Sequence, residues 1–404
     1  MNQIATTFPK SVQPGIPKLG YTPVGWKRYR LGDLFDVVSR PVDLHDDTEY
    51  DLVTVKRSRG GIAFRERLPG KKIAVKSQFY IHEGDFLISK RQIVHGACGM
   101  VSAKFDGSIV SNEYTVLRPR KMLLLEYLGY LVHSVYMQQT FFHASIGIHV
   151  EKMIFKLDDW LSWPIHLPEQ DTQQEMVNAV SAADRKIGLL QTQHSAIKRF
   201  KRGLMRRIFD GDLRFTRENG SPYPDWREEP LSKVAKINPP YRSFPNSFYY
   251  IDLDGVDSGR LRGPRFLNRS RAPSRAQRVL ATGDVLFQMV RPYQRNNLWF
   301  GLEGDFVAST GYAQLRARQN PGFLYQVIQS DDFVNEVLSR CTGTGYPAIS
   351  SKELGRIQVP VPCSDEQKRI AEILSSIDAK IDAVSSQITY METFAKGLLQ
   401  KMFV

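Results

Sequence analysis

Ten apolar positions near the end of this chain follow one another by alternating steps of four and three: Ile370, Leu374, Ile377, Ile381, Val384, Ile388, Met391, Ala395, Leu398 and Met402. Such a heptad seam lets a helix bury one narrow stripe against a partner helix. Moving back 194 residues gives Met176, Val180, Ala183, Ile187, Leu190, His194, Ile197, Lys201, Leu204 and Ile208, eight of ten apolar in the same register. Gln173 with Gln367, Asp184 with Asp378, Lys186 with Lys380, Gly203 with Gly397 and Phe209 with Phe403 agree at that offset. A long helix over 171–209 is therefore predicted twice. Two in-register seams in one chain, joined by a globular domain, favour pairing within the chain over simple dimerisation.

The segments before each helix repeat as well. Trp26 with Leu31 is echoed by Trp226 with Leu231, Gly84-Asp85 by Gly283-Asp284, Leu117-Arg118 by Leu315-Arg316, and Leu167-Pro168 by Val361-Pro362. Between these anchors the halves differ almost completely. The order is a variable globular domain and a long helix, stated twice. The segments are a flexible arm over 1–20, a globular domain over 21–168, a helix over 169–210, a linker over 211–225, a second globular domain over 226–362 and a second helix over 363–404. In the first globular domain, Asp51–Val55, Lys72–Val75, Asp85–Ser89, Ile109–Leu117 and Trp163–Leu167 read as strands and Leu123 to Phe142 as helix. Thr172 with Glu175, and Ser364 with Gln367, have capping-box spacing at the helix starts, and Asp210-Gly211-Asp212 is a stop.

Lys and Arg number 55 against 42 Asp and Glu, a net charge of +13. An excess of this size points to a polyanionic partner, nucleic acid first. No apolar run reaches the roughly 18–20 residues of a membrane span, and the N-terminus lacks a signal-peptide core, so the expected location is the cytoplasm. Cys98, Cys341 and Cys363 are scattered and without CxxC spacing, and imply neither disulfides nor zinc.

The phrases WKRYRLGDLF, GLMRRIFDGDLRF, NGSPYPDW, VPVPCSDEQKRIAEILSSIDAKI and KGLLQKMF resemble the specificity subunit of type I restriction–modification enzymes from about Tyr21 onward. The likeness is specific in the linker and both helices and weaker in the globular domains. It implies an α+β chain of two α/β target-recognition domains joined by two long helices in an antiparallel coiled coil, with an internal pseudo-twofold repeat. It also implies that each recognition domain reads half of a split, asymmetric site in double-stranded DNA, and that the chain has no catalytic activity of its own. The implied partners are two methyltransferase subunits carrying S-adenosylmethionine and restriction subunits using ATP and Mg. No cofactor or metal is expected on this chain.

Two helices of 39 residues would each be about 58 Å long, a spacer on the scale of major-groove readers set about 34 Å apart or at multiples of that distance. The helices are thus expected to act as a ruler. Inserting four residues near Thr192 would add about 6 Å of helix and lengthen the unread spacer with both half-sites unchanged. Lys201 breaks the first seam, with its head expected in water or against another partner. Arg185, Lys186, Lys198, Arg199, Lys201, Arg202, Arg206 and Arg207 form either a solvated face or a contact for DNA phosphate or an acidic partner helix.

Reading bases takes Arg, Lys, Asn, Gln and hydroxyl side chains on loops, with surrounding cations holding phosphates. In the first domain Lys56, Arg57, Ser58 and Arg59 qualify, as do Ser89, Lys90, Arg91 and Gln92 after the Gly-Asp strand. In the second, the matching stretch holds Gln288, Arg291, Tyr293, Gln294, Arg295 and Asn296. Arg260, Arg262 and nearby Arg265 are a further basic loop. Thr342, Thr344 and Tyr346 belong to a Gly-rich loop that in the resembled family often faces DNA, and Ser145 to His149 hold the matching place.

Asn238-Pro239-Pro240-Tyr241 spells the catalytic tetrapeptide of adenine-N6 methyltransferases, in which the Asn and a Pro carbonyl accept from the target amino group and the Tyr stacks on the flipped base. No glycine-rich strand–loop–helix for S-adenosylmethionine accompanies it, and a Pro-containing turn ending a strand explains it better. No GxxxxGK[ST] loop is present. A self-sufficient adenine methyltransferase and a coiled-coil adaptor that binds DNA without sequence preference are the rival readings.

Overall fold

The computed structural model describes residues 12–343 and 345–403. Packing divides the chain into two units cut inside the long helices: one runs to Thr192 and resumes at Ser385, the other spans Gln193–Val384. The helices span Gln170–Phe209 and Ser364–Met402. In the first unit Met176, Val180, Ala183 and Ile187 share a core with Ala395, Leu399 and Phe403. In the second, Met205 and Ile208 share one with Ile370, Leu374 and Ile377. The first half of one helix packs with the second half of the other, which is antiparallel pairing.

The two globular domains have the same topology. In the first unit one antiparallel sheet has the order Phe35–Val37, Tyr114–Pro119, Phe86–Ser89, Cys98–Met100. A second has the order Ile62–Pro69, Glu49–Val55, Ile109–Ser111, Gln78–Tyr80, with its middle pair parallel. The second unit repeats both: Ala235–Ile237, Tyr312–Ala317, Val285–Gln288, Leu298–Trp299 in one sheet, and Arg265–Asn268, Ser247–Ile251, Phe306–Ser309, Ala276–Val279 in the other, again with the middle pair parallel. A ribbon of Trp26–Arg30 with Pro164–Pro168, matched by Arg227–Pro230 with Gln358–Val361, leads into each long helix. A two-helix hairpin completes each domain, and Ser134 and Ser330 cap its second helix by accepting from Met137 N and Phe333 N.

The sequence echoes meet in space. Gly84 and Gly283 adopt φ of 82° and 91°, a turn that favours glycine, and set the next residue facing inward. Asp85 is fully buried and accepts from Arg40 at 2.7 Å, from Arg118 at 3.0 Å and from the His82 amide at 2.8 Å. Asp284, 1% exposed, accepts from Arg316 at 2.8 and 2.9 Å, from Gln314 at 2.6 Å and from the Ala281 amide at 2.7 Å. The Gly-Asp and Leu-Arg anchors are thus the two ends of one ion pair whose carboxylate end is buried. Such pairs occur where the remaining lone pairs are also satisfied.

Gln173 and Gln367, also matched, tie the helix starts down. Gln173 Nε2 donates to the Pro168 carbonyl at 2.9 Å and the Met122 carbonyl at 2.8 Å, and its Oε1 accepts from Leu124 N at 2.9 Å. Gln367 Nε2 donates to the Pro362 carbonyl at 3.0 Å and to Gln319 at 2.6 Å. The capping boxes are not where their spacing placed them. Thr172 lies two residues inside its helix and Ser364 is the first residue of its own, with Gln173 N and Gln367 N donating to the carbonyls of Glu169 and Cys363.

Other expectations also shift. Residues 70–72 form a 3-10 turn where Lys72–Val75 was read as strand. Ile109–Leu117 is two strands in different sheets, and the predicted helix over 123–142 is two, Leu125–Leu131 and Val135–His143. Within the proposed arm, Gly15 O accepts from His143 Nε2 at 2.7 Å. The linker is anchored as well. Arg214 donates to Glu366, itself fully buried, at 2.9 and 3.0 Å, and Trp226 Nε1 donates to it at 2.8 Å. Lys201 turns to the facing helix instead of extending into water: its Nζ donates to both oxygens of Asp378 at 2.7 and 2.8 Å, and Gln326 joins them at 2.9 Å. An ammonium largely withdrawn from water needs its counter-ion close by, and the facing helix supplies it.

Candidate nucleic-acid interface

In the first unit the inner strand Phe86–Ser89 delivers the chain to Lys90, Arg91 and Gln92. The 56–61 loop closes on the turn that follows, with Ser58 N donating to His95 O at 2.7 Å and Arg59 N to Gly96 O at 3.3 Å. Phe155 N donates to Lys90 O at 2.8 Å, which joins the hairpin of Ser145–Ile146 with Ile154–Phe155 to the same place. Arg57 pairs with Glu151 at 2.8 Å. Three segments far apart in sequence thus form one surface. Ser58 and Arg59 hold φ of 53° and 63°, the left-handed region that non-glycine residues seldom adopt. Burial lowers the Arg59 pKa to about 10, so it remains a cation at neutral pH.

Not every predicted reader is equally presented. Ser89 is buried, Lys90 Nζ donates to Asn112 O at 2.6 Å, and Arg91 pairs with Glu113 at 2.6 Å. Lys56, Arg57 and Arg91 are exposed. The surface pairs of Arg57 and Arg91 are weak enough to be given up to a phosphate. Ile148, at the hairpin tip, is 98% exposed.

The second unit brings its two loops together more tightly. Arg291 N donates to Pro347 O at 2.8 Å and Ile349 N to Met289 O at 3.1 Å, while the Arg291 guanidinium lies 4.3 Å from the centre of the Tyr346 ring. A cation stacked on an aromatic face is held in place yet keeps its N–H edges free to donate. Arg291 and Arg295 flank the 292–294 turn at φ of 54° and 53°. Gln288 is buried beneath as a strut, donating to Gln294 at 2.8 Å and accepting from Asn296 N at 3.1 Å. Arg295 is engaged with Asp331 at 2.6 Å and Gln329 O at 3.0 Å, and Asn296 accepts from Ser258 N at 3.4 Å. Tyr293 and Tyr346 are more than half exposed and Thr342 is exposed. Thr344 lies outside the described residues.

The third basic cluster is neutralised within the chain. Arg260 donates to Asp382 of the second long helix at 3.0 Å, Arg262 pairs with Asp257, and Arg265 pairs with Asp252 at 2.6 Å. Arg260 thereby ties the second globular domain to the helix pair, a role invisible in sequence because its partner lies 122 residues away.

The methyltransferase-like tetrapeptide is a structural turn. Asn238 follows strand Ala235–Ile237 at φ 49°. Its Nδ2 donates to Ser351 Oγ at 2.9 Å and its Oδ1 accepts from Gln314 N at 3.0 Å, so both ends of the amide are engaged in bracing the sheet. Tyr241 packs edge-on against Phe244 at 5.6 Å. Among the described residues no cluster of His, Cys, Asp or Glu is arranged to hold a metal ion, and no helix is long and apolar enough to cross a membrane.

Residues 23–199 and 282–389 match the type I restriction modification DNA specificity domain, well over half of the chain and both halves of the repeat. The chain belongs to that family. Among its relatives, the type I restriction enzyme MjaVIII specificity subunit of Methanocaldococcus jannaschii is 25% identical, over 93% of this chain and 92% of the relative. The HindI specificity subunit of Haemophilus influenzae is 22% identical over 45% of this chain and 41% of the relative. The fold is shared with the HsdS subunit of Thermoanaerobacter tengcongensis, with a TM-score of 0.55 at 21% identity over 95% and 96% of the two chains. A chain from a structure describing complex assembly and conformational transition of the type I R-M system gives a TM-score of 0.61 at 20% identity over 95% and 99%. As a specificity subunit, the protein serves DNA sequence recognition in a type I restriction–modification system.

Proposed function

We propose that this specificity subunit is a non-catalytic reader, each recognition domain contacting one half of a bipartite, asymmetric site in double-stranded DNA. The observation that carries this reading is a duplicated, buried frame under loops that share no sequence. Asp85 and Asp284 hold equivalent strands, and those strands end in Lys90-Arg91-Gln92 on one side and in Met289 to Asn297 on the other. The residues offered to bases and phosphates are Lys56, Arg57, Arg59 and Arg91 in the first domain and Arg291, Tyr293, Thr342 and Tyr346 in the second. Left-handed backbone at Ser58, Arg59, Arg291 and Arg295 supports this assignment, since strain of this kind gathers at sites that hold side chains for a ligand.

The helix pair sets the spacer and docks two methyltransferase subunits, which carry S-adenosylmethionine. Restriction subunits, where they join the assembly, use ATP and Mg, and this chain holds no cofactor. The setting is the cytoplasm.

Modified-base sequencing of host DNA with and without this gene, the methyltransferase gene left intact, tests the reading. Loss of N6-methyladenine at one split motif is expected. Unchanged methylation with both genes expressed would leave a non-specific adaptor. Methyl transfer from labelled S-adenosylmethionine by the purified chain alone would restore the methyltransferase reading, and Asn238→Ala would then abolish it.

A further inference from the structure

The arginines around the paired loops of the second unit are mostly committed to carboxylates. Arg295 pairs with Asp331, Arg340 with Glu336, Arg260 with Asp382, Arg262 with Asp257 and Arg265 with Asp252. Arg291 forms no ion pair among the described residues, and its guanidinium lies instead over the Tyr346 ring, 4.3 Å from the centre. The backbone on both sides of this contact is fixed. Thr342 and Ala348 exchange hydrogen bonds at 3.0 Å in each direction, closing the turn that carries Tyr346, and Val290 bridges to the same Ala348. Arg291 N donates to Pro347 O. Below the loop, Asn297 is fully buried and its Oδ1 accepts from Gln288 N at 2.8 Å. Arg291 holds φ 54° within this frame, a backbone conformation that a long side chain seldom adopts unless its surroundings impose it.

So much ordering is more than a phosphate contact requires. A phosphate accepts a cation from many directions, and a lysine serves there as a point charge. Fixing the plane of a guanidinium against an aromatic face does something further, since it presents two parallel N–H donors at a set angle. That fork matches the adjacent acceptors O6 and N7 on the major-groove edge of guanine. Adenine carries an amino donor where guanine carries O6, so the same fork meets one acceptor and one donor there. No carboxylate partner holds the guanidinium back, in contrast with Arg295 beside it.

We propose that Arg291 is the guanine-reading side chain of the second domain. Its guanidinium donates to O6 and N7 of one guanine in the half-site that this domain reads, and Tyr346 is the positioning residue that fixes its plane. The proposal rests on the reader function above and adds to it the identity of one base pair.

The test uses the full chain assembled with its methyltransferase subunit, on duplexes carrying the split motif found by modified-base sequencing. Each G·C pair is replaced in turn by A·T, and each guanine separately by 7-deazaguanine, which lacks the N7 acceptor. At one guanine the wild type should lose about 5- to 150-fold in Kd on the A·T replacement, and a smaller factor on loss of N7. Arg291→Ala should erase both penalties at that position and leave those at the others. Arg291→Gln should move the preference there towards adenine, whose N6 and N7 a glutamine matches. Tyr346→Phe should keep the discrimination and Tyr346→Leu reduce it at the same position alone, a selectivity that a folding defect does not produce.

A variant Arg291→Ala that weakens every duplex equally, with about one unit less slope of log K against log salt, would make Arg291 a phosphate contact and overturn the proposal. Penalties untouched by Arg291→Ala would overturn it as well. The wild-type scan needs no variant: tolerance of N7 loss at every guanine, or a motif without a G·C pair, has the same result. A wild-type assembly that selects no split motif overturns the reader function itself, whatever Arg291 does.

Discussion

Asp85 and Asp284 occupy one place in two copies of a frame, and their surroundings have diverged in an instructive way. Asp85 is held by two guanidiniums, one from Arg40 and one from Arg118. Asp284 keeps only the second of these, as Arg316, and Gln314 has replaced the first. Both remain buried and both accept the amide three residues back. A buried carboxylate demands donors, but which donors supply them is free to change so long as the number is met. The reading loops face no such internal demand, and there almost nothing is shared.

Removing the carboxylates tests that equivalence most severely. Asp85→Ala should destabilise its unit by about 1–3 kcal/mol, because two arginines, both partly open to solvent, and the His82 amide lose their shared acceptor. Asp284→Ala leaves one arginine, itself 42% exposed, and should cost less. Thermal unfolding of the two variants checks the order, and equal losses would mean that the second arginine adds nothing.

Acid separates the units next. His133, just before the Ser134 cap, is half-buried, and loss of hydration there holds its imidazole at about 3 against an ordinary 6.5. Its counterpart before the Ser330 cap, Gln329, does not titrate. With the folded value depressed, the unfolded chain binds the proton first. Stability is therefore complete above pH 6.5 and falls as pH is lowered towards 3, by at most about 1.4 kcal/mol per unit. Urea midpoints at pH 7 and pH 5 should converge when His133 is replaced by Gln. A slope that survives His133→Gln would place its origin elsewhere.

The helix pair differs in a smaller way. Lys201 and Asp378 bring an ion pair to the second unit, where the first unit has Ala395 at the position matching Lys201. Lys201→Ala should cost about 1–2 kcal/mol, read in a double-mutant cycle with Asp378→Ala, and a coupling near zero would show the pair to be ornamental. Smallest in stability is Arg57→Ala, with a change below about 0.5 kcal/mol. Its effect should appear in DNA binding, where the dependence of log K on log salt loses about one unit of slope.

The seams could be read from sequence because a helix repeats its buried face at fixed steps, and no tertiary knowledge is needed to see that. The same holds for the echoes, although their meaning was hidden: nothing local says that Asp284 and Arg316, over thirty residues apart, are one ion pair. The ion pairs of Lys201 and Arg260 were hidden for that reason, since their partners Asp378 and Asp382 lie on the other long helix. Thr172 misled through spacing alone. A buried glutamine that binds the carbonyls of the preceding strand and the neighbouring loop fixes the helix start more firmly than a first-turn hydroxyl. The candidate loops were legible as clusters of donors, but their convergence with the 145–155 and 342–349 segments depends on sheet order.

The cut inside both helices has a consequence for biosynthesis. The core of the first unit is completed by Ala395, Leu399 and Phe403, whose ring lies 5.1 Å from that of Tyr127. A nascent chain therefore displays Met176, Val180, Ile187 and the floor of its first domain until residues 385–403 have left the ribosome, long after the second domain has emerged. Translation that stops early yields an open apolar stripe, a species prone to aggregation and proteolysis. Only a chain that carries both helices can conceal it.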